Sequence, residues 1–228
     1  MKNKICSVLF SVAVFFFIIT FSIGLPIYFR PFYYAHIDAM ELEAKSGFSK
    51  AEIKEAYNEV LDYLTIPGKE FSTGVMRHSE SGATHFADCK VLFDLNASVL
   101  IISAIIIIAL LVFHKQGKIE RPLIGYCSAE FWAAVSAIVL PIVLGSVASI
   151  DFDKTFVIFH KMFFPGKTNW LFDSYYDEII NVLPQKFFMN CAILIACGVL
   201  VISLALIIKE IVVFARTKKI VIKDLRVN

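Results

Sequence analysis

The stretch LNASVLIISAIIIIALLVF, Leu95–Phe113, holds no charge over 19 residues and contains four consecutive isoleucines, Ile105 to Ile108. At about 1.5 Å of rise per residue such a segment covers roughly the 30 Å of a bilayer's hydrocarbon core, and in lipid only a helix satisfies its own backbone. Three further stretches read the same way. The first runs from Ile5 to Ile27 with Phe15, Phe16 and Phe17 at its centre; the others cover residues 131–150 and 188–214, the last interrupted by Lys209 and Glu210 near its end. The composition agrees, with 58% hydrophobic residues and a mean hydropathy of +0.72 over 228 residues, above the roughly 45–50% apolar share of soluble domains. The opening Met1-Lys2-Asn3-Lys4 suits a signal peptide, but the apolar run is too long and no small-x-small site follows, so a retained span is expected.

Orientation follows from lysine and arginine beside the spans. The connection 114–130 carries Lys115, Lys118 and Arg121, and the tail 215–228 carries Arg216, Lys218, Lys219, Lys223 and Arg226. Both are expected in the cytoplasm. The loop 28–94 has seven Lys/Arg against eleven Asp/Glu, and the loop 151–187 four against five; both suit export. The expected fold is a four-transmembrane-helix bundle with a small α+β extracytoplasmic domain built by the two loops. The net charge of +2 is a by-product of this bias and points to no nucleic acid.

Within the first loop, Ser49 and Glu52 fit a capping box. Ile53, Tyr57, Val60, Leu61 and Leu64 then recur at helical spacing until Pro67-Gly68, which predicts an amphipathic helix over about 50–64, packed as a lid on the outer domain in preference to lying in the headgroup layer. Residues 71–90, broken by Gly74 and Gly82 and rich in serine, read as short strands or a turn-rich lobe. In the second loop Pro165-Gly166 suits a type II turn. A second amphipathic helix is expected after it, capped by Asp173 or Ser174, with Ile179, Ile180 and Leu183 on one face and Pro184 at its end.

The spans hold no ionisable group at mid-depth, which argues against ion-coupled transport, and no HExxH, GxSxG or phosphate-binding loop is present. Histidine remains as the residue able to take and give a proton near neutrality. His36, His78 and His114 read as local or solvated groups. His85 lies ten residues before the second span and His160 ten after the third, so both fall on the outer side near the membrane; spacing alone allows them to meet in one site or to serve separate local hydrogen bonds. Asp88 either orients an imidazole or pairs with Lys90. His160 sits among Phe159, Phe163 and Phe164, a setting that lowers its pKa. Cys89 reads as a structural thiol, and two histidines without a third ligand fall short of a metal site. No cofactor is expected.

Gly82-x-x-His85-x-x-Asp88-x-Lys90, together with Phe159-His160-x-x-Phe163-Phe164-Pro165-Gly166-x-x-x-Trp170 followed by Asp177 and Pro184, resembles the lipoprotein intramolecular transacylases of low-GC Gram-positive bacteria over essentially the whole chain. Cys89 departs from the family pattern, which usually has valine there. The resemblance implies movement of the sn-2 acyl chain of a diacylglyceryl lipoprotein to the α-amine of its N-terminal cysteine, giving a lyso-form lipoprotein, with His85 and His160 as the functional histidines. Oxyanion donors would come from Lys90, Arg30, Trp170 or backbone amides. The expected partners are the diacylated lipoprotein and membrane lipids, and the expected state is a monomer. Two other readings stand beside this one: a non-catalytic sensor or assembly module that binds an exported partner through its aromatic loops, and an acyltransferase or phospholipase acting on free lipids.

Overall fold

The computed structural model describes residues 2–148 and 150–227, with side chains apart from those at 2, 147 and 218–227. The tail cations Lys218, Lys219, Lys223 and Arg226 therefore lie outside the described side chains. The chain runs α1 (Lys2–Tyr28), α2 (Pro31–Ala39), α3 (Leu42–Ser46), α4 (Lys50–Thr65), α5 (Glu80–Lys115), β1 (Leu123–Ile124), β2 (Cys127–Ser128), α6 (Ala129–Ala148), α7 (Phe152–Phe163), α8 (Ile179–Val182) and α9 (Gln185–Val227). Four of these, α1, α5, α6 and α9, are long and apolar enough to cross a membrane. α5 has 36 residues, about 54 Å at 1.5 Å each, well beyond the hydrocarbon thickness. Its charge-free part begins at Leu95, and the preceding turns, with Glu80, Asp88, Lys90 and Asp94, are too polar for lipid tails and extend past them.

Two compact units divide the chain. The first comprises Met1–Ser22, Val99–Leu144 and Ala196–Asn228. Its core joins all four long helices through Phe10, Val14, Ile18, Leu110 and Val199 with Ala129, Ala133, Ala134 and Ala137. The alanines recur three and four apart on α6, a small-residue stripe that lets helix backbones approach closely where lipid offers no hydrophobic drive. β1 and β2 form an antiparallel hairpin, Leu123 opposite Ser128, turned at Gly125 with φ +63°. Leu123 N–H donates to Ser7 Oγ at 3.1 Å and Ser128 N–H to Glu210 Oε1 at 2.9 Å. Lys209 and Glu210, which interrupt the fourth apolar stretch, are thus engaged: Lys209 donates to Glu130 at 3.0 Å.

The second unit comprises Ile23–Ser98 and Gly145–Ile195. α4 begins at a complete capping box, Ser49 with Glu52, and buries Ile53, Ala56, Tyr57, Val60, Leu61 and Leu64. These pack with Tyr33, Ile37, Leu42, Ile179, Val182 and Phe187 in one core. Tyr33 stacks on Tyr57 at 3.8 Å and its hydroxyl donates to Val182 O at 2.8 Å.

Two local expectations are corrected. Residues 71–90 contain no strand; 67–78 are irregular and α5 starts at Glu80, so the strands described in the chain lie in the 114–130 connection instead. Gly82 is no helix breaker here: Ser79 Oγ caps the first turn by accepting from Gly82 N–H at 2.9 Å, and a Cβ at Gly82 would run into the Asp177 carboxylate. Nor does a second amphipathic helix follow Pro165-Gly166. Asp173 accepts from Tyr175 N–H at 2.9 Å in a local turn, Asp177 and Glu178 are drawn to Ser79 and Arg77, and the single-turn α8 is all that forms.

Candidate functional site

α7 is set by Asp151, whose carboxylate accepts from Lys154 N–H at 2.9 Å at the helix start. Among its residues only His160 is buried, 8% exposed. In the third turn of α7, its Nδ1–H donates to Phe156 O at 2.8 Å. A proton held there fixes the tautomer and leaves Nε2 with its lone pair. The ring lies against Phe156 at 4.2 Å, Trp170 at 4.9 Å and Phe164 at 5.9 Å.

His85, 5% exposed, sits in the second turn of α5. Its ring centroid is 5.8 Å from that of His160, and Phe164 and Phe172 close on it edge to face at 4.9 and 5.4 Å. Phe164 therefore touches both imidazoles. His85 Nε2 is 3.4 Å from Cys89 Sγ, while His85 Nδ1 is buried without a hydrogen-bond partner. Burial, then the neighbouring His160, pushes His85 down to about 4; Asp88 opposes the shift and Lys167 adds to it. Burial also lowers His160, against the hydrogen bond to Phe156. Both rings are neutral at physiological pH, a state suited to accepting or sharing a proton and unsuited to a fixed cation.

The supporting residues fall out unevenly. Asp88 does not pair with Lys90, because residues two apart on a helix point to different sides. It pairs with Lys167 and accepts from Asn169 Nδ2 at 2.9 Å, and Lys167 holds its carboxyl below the usual range. Lys90 donates instead to Tyr63 O at 2.8 Å. Arg30 ties α2 to α4 through Asn58 at 3.1 Å and through Asp62. Trp170 packs on His160, but its indole N–H already donates to Lys167 O at 3.0 Å. Sequence reasoning missed Lys167, Asn169 and Phe172, and it quoted Asp177 only as part of the family motif, without a role. The first two follow the Pro165-Gly166 turn, and that polar pair beside Trp170 was the available signal. Asp177, 4% exposed, accepts from both N–H and Oγ of Ser79 at 2.8 and 2.9 Å, anchoring the second loop at the start of the helix that carries His85. Burial pushes Cys89 up to about 12, so it is no thiolate nucleophile. His36 donates to Phe32 O at 2.6 Å and accepts from Asn190 Nδ2 at 2.9 Å, and His78 lies 2.9 Å from Thr73 Oγ1. Among the described residues no group of three His, Cys, Asp or Glu side chains is placed to hold a metal.

The fold is shared with solved structures. The membrane-integral lipoprotein intramolecular transacylase Lit from Bacillus cereus superposes with a TM-score of 0.81 at 24% identity, covering 100% of this chain and 99% of that one. A form of the same protein with the H85R mutation gives a TM-score of 0.77 at 24% identity, over 96% of this chain and 94% of that one. No curated protein matches the chain. The family model for lipoprotein intramolecular transacylase Lit matches residues 8–188, most of the chain and both histidine-bearing segments, and the chain belongs to that family of multi-pass membrane transacylases.

Proposed function

We propose that the two buried imidazoles are the catalytic groups of an acyl transfer within a single diacylglyceryl lipoprotein, from the sn-2 oxygen of the glyceryl group to the α-amine of the N-terminal cysteine, leaving a lyso-form product. The observation that carries this is the neutral His85–His160 pair, 5.8 Å apart inside an aromatic enclosure.

An α-amine with a pKa of about 7.7–8.0 attacks an ester only in its unprotonated form, and as it bonds to the carbonyl carbon the free Nε2 of His160 is the group able to take the N–H proton it then sheds. The departing sn-2 oxygen needs a proton in return. Because nucleophile and ester belong to one molecule, no acyl-enzyme is required, and the enzyme's main work is to fold the two together; good orientation is worth roughly 7–11 kcal/mol in such reactions. The rings of Phe156, Phe164, Phe172 and Trp170 exclude water, which protects the ester from hydrolysis.

The charge bias of the connecting segments supports both ends of the chain in the cytoplasm and the histidine pair on the extracytoplasmic face, where exported lipoproteins reside. The enzyme would act as a monomer on its lipid-anchored substrate.

His85→Ala and His160→Ala, produced in a strain without its own transacylase, are each expected to cut lyso-form lipoprotein by about 10²–10⁴-fold, the usual share of a positioned acid or base. Mass spectrometry of lipoprotein N-termini reads this directly. Unchanged lyso-form product in both variants, at equal protein level, refutes the assignment and favours a binding module.

A further inference from the structure

We propose that Cys89 is a positioning residue: its S–H donates to Nε2 of His85, which places the imidazole proton on Nδ1 and makes His85 an N–H donor to the ester's carbonyl oxygen. This rests on the reading of His85 as a residue of the acyl transfer.

Cys89 stands one turn after His85 on α5, where residues four apart share a face, and its sulfur is 3.4 Å from Nε2. That ring nitrogen is its one hydrogen-bond partner among the described contacts. Two neutral tautomers are conceivable. With the proton on Nε2, the ring donates to sulfur, a weak acceptor, and the thiol proton and the Nδ1 lone pair are both left unmet in a buried place. With the proton on Nδ1, the thiol donates to a strong nitrogen acceptor and only the Nδ1–H lacks a partner. The second arrangement leaves fewer buried polar groups unsatisfied, and each such group is costly. A thiol held well above its ordinary pKa by burial keeps the proton it must donate.

The unpartnered Nδ1 belongs to a side chain 5% exposed, enclosed by Phe164, Phe172 and His160. The two histidines then carry complementary roles: His160 offers a lone pair, because Phe156 O takes its Nδ1–H, and His85 offers a proton it does not give up. As the N–C bond forms, His160 Nε2 takes a proton from the amine and the carbonyl π electrons move to oxygen, which accepts a hydrogen bond from His85 Nδ1–H. On collapse the bond between carbonyl carbon and sn-2 oxygen breaks, and that oxygen takes the proton from His160. One proton moves from nitrogen to oxygen, and no co-reactant is consumed.

The test uses the full-length protein in detergent micelles with ¹⁵N-labelled histidine, the His85 signals being assigned by their absence from H85A. The expected spectrum shows protonated, pyrrole-type Nδ1 and bare, pyridine-type Nε2 on His85. C89V removes the donor and should mix the two tautomers while lowering kcat about 10–100-fold on a diacylglyceryl lipopeptide with little change in KM, in line with loss of a transition-state hydrogen bond. C89S, whose hydroxyl also donates, should restore both signature and rate to within about threefold of the parent, which a purely steric role would not do. A pyrrole-type Nε2 on His85 in the parent protein, or C89V with unchanged spectrum and rate, overturns the proposal. If H85A itself turns over at the parental rate, the functional reading of His85 fails and takes the catalytic half of the proposal with it; a Nδ1–H tautomer in that case marks the thiol contact as structural only.

Discussion

Two buried imidazoles 5.8 Å apart set the pH behaviour of the proposed chemistry. His85 and His160 are both held below their ordinary value, chiefly by burial, with His160 and Lys167 lowering His85 further against Asp88. A lowered pKa means the proton leaves at lower pH, so both rings are already neutral at pH 7 and titrate below about 6.5. What changes between about pH 6 and 8 is the substrate's α-amine, which loses its proton near 7.7–8.0. The rate at subsaturating substrate is therefore expected to rise with pH through the amine range, with any histidine-dependent fall confined to the acid side of the ordinary imidazole value. A rate profile on a diacylglyceryl lipopeptide from about pH 5 to 9 checks this. A dominant inflection near 6.5 that persists with an N-terminally blocked lipopeptide would be unrelated to transfer; one that is lost in His160→Asn would contradict the depressed pKa.

At the level of elements, the first turn of α5 is held by a partner nearly a hundred residues away. Gly82→Ala would thrust a methyl group into the Asp177 carboxylate and against Phe172, detaching the second loop from the helix that bears His85. Overpacking of this kind costs about 1–3 kcal/mol, so the variant should melt at lower temperature and lose activity even though it touches neither imidazole; a thermal melt in detergent together with the lipopeptide assay checks both, and an unperturbed melt would show that Asp177 moves aside freely. The same contact explains what was and was not legible in the sequence. The spans and α4 were, because apolar length and the Ser49–Glu52 capping box are local signals. The start of α5 was not, because Gly82 reads as a breaker unless Asp177 is seen in its Cβ space. Both histidines stood out as the leftover titratable groups, but Lys167 and Asn169, marked in the sequence only by their polarity beside Trp170, take on a role through Asp88, whose partners come from the other loop and not from Lys90 on its own helix.

For the whole molecule in its membrane, the charge bias yields a topology that cysteine labelling can read. In a background lacking native cysteines, Glu70→Cys in the first long loop should react with a membrane-impermeant thiol reagent on intact cells. Tyr126→Cys, at the fully exposed tip of the β1–β2 hairpin, should react only after permeabilisation, and the reverse pattern would invert the assignment. The aromatic enclosure also gives meaning to one atom described above. His85 Nδ1 is buried without a hydrogen-bond partner, and the rings of Phe164 and Phe172 that close on it have nothing to offer it. On the proposed reading a polar ester does, so the enclosure would favour the chemical part of a lipid that reacts over the far more abundant part that does not.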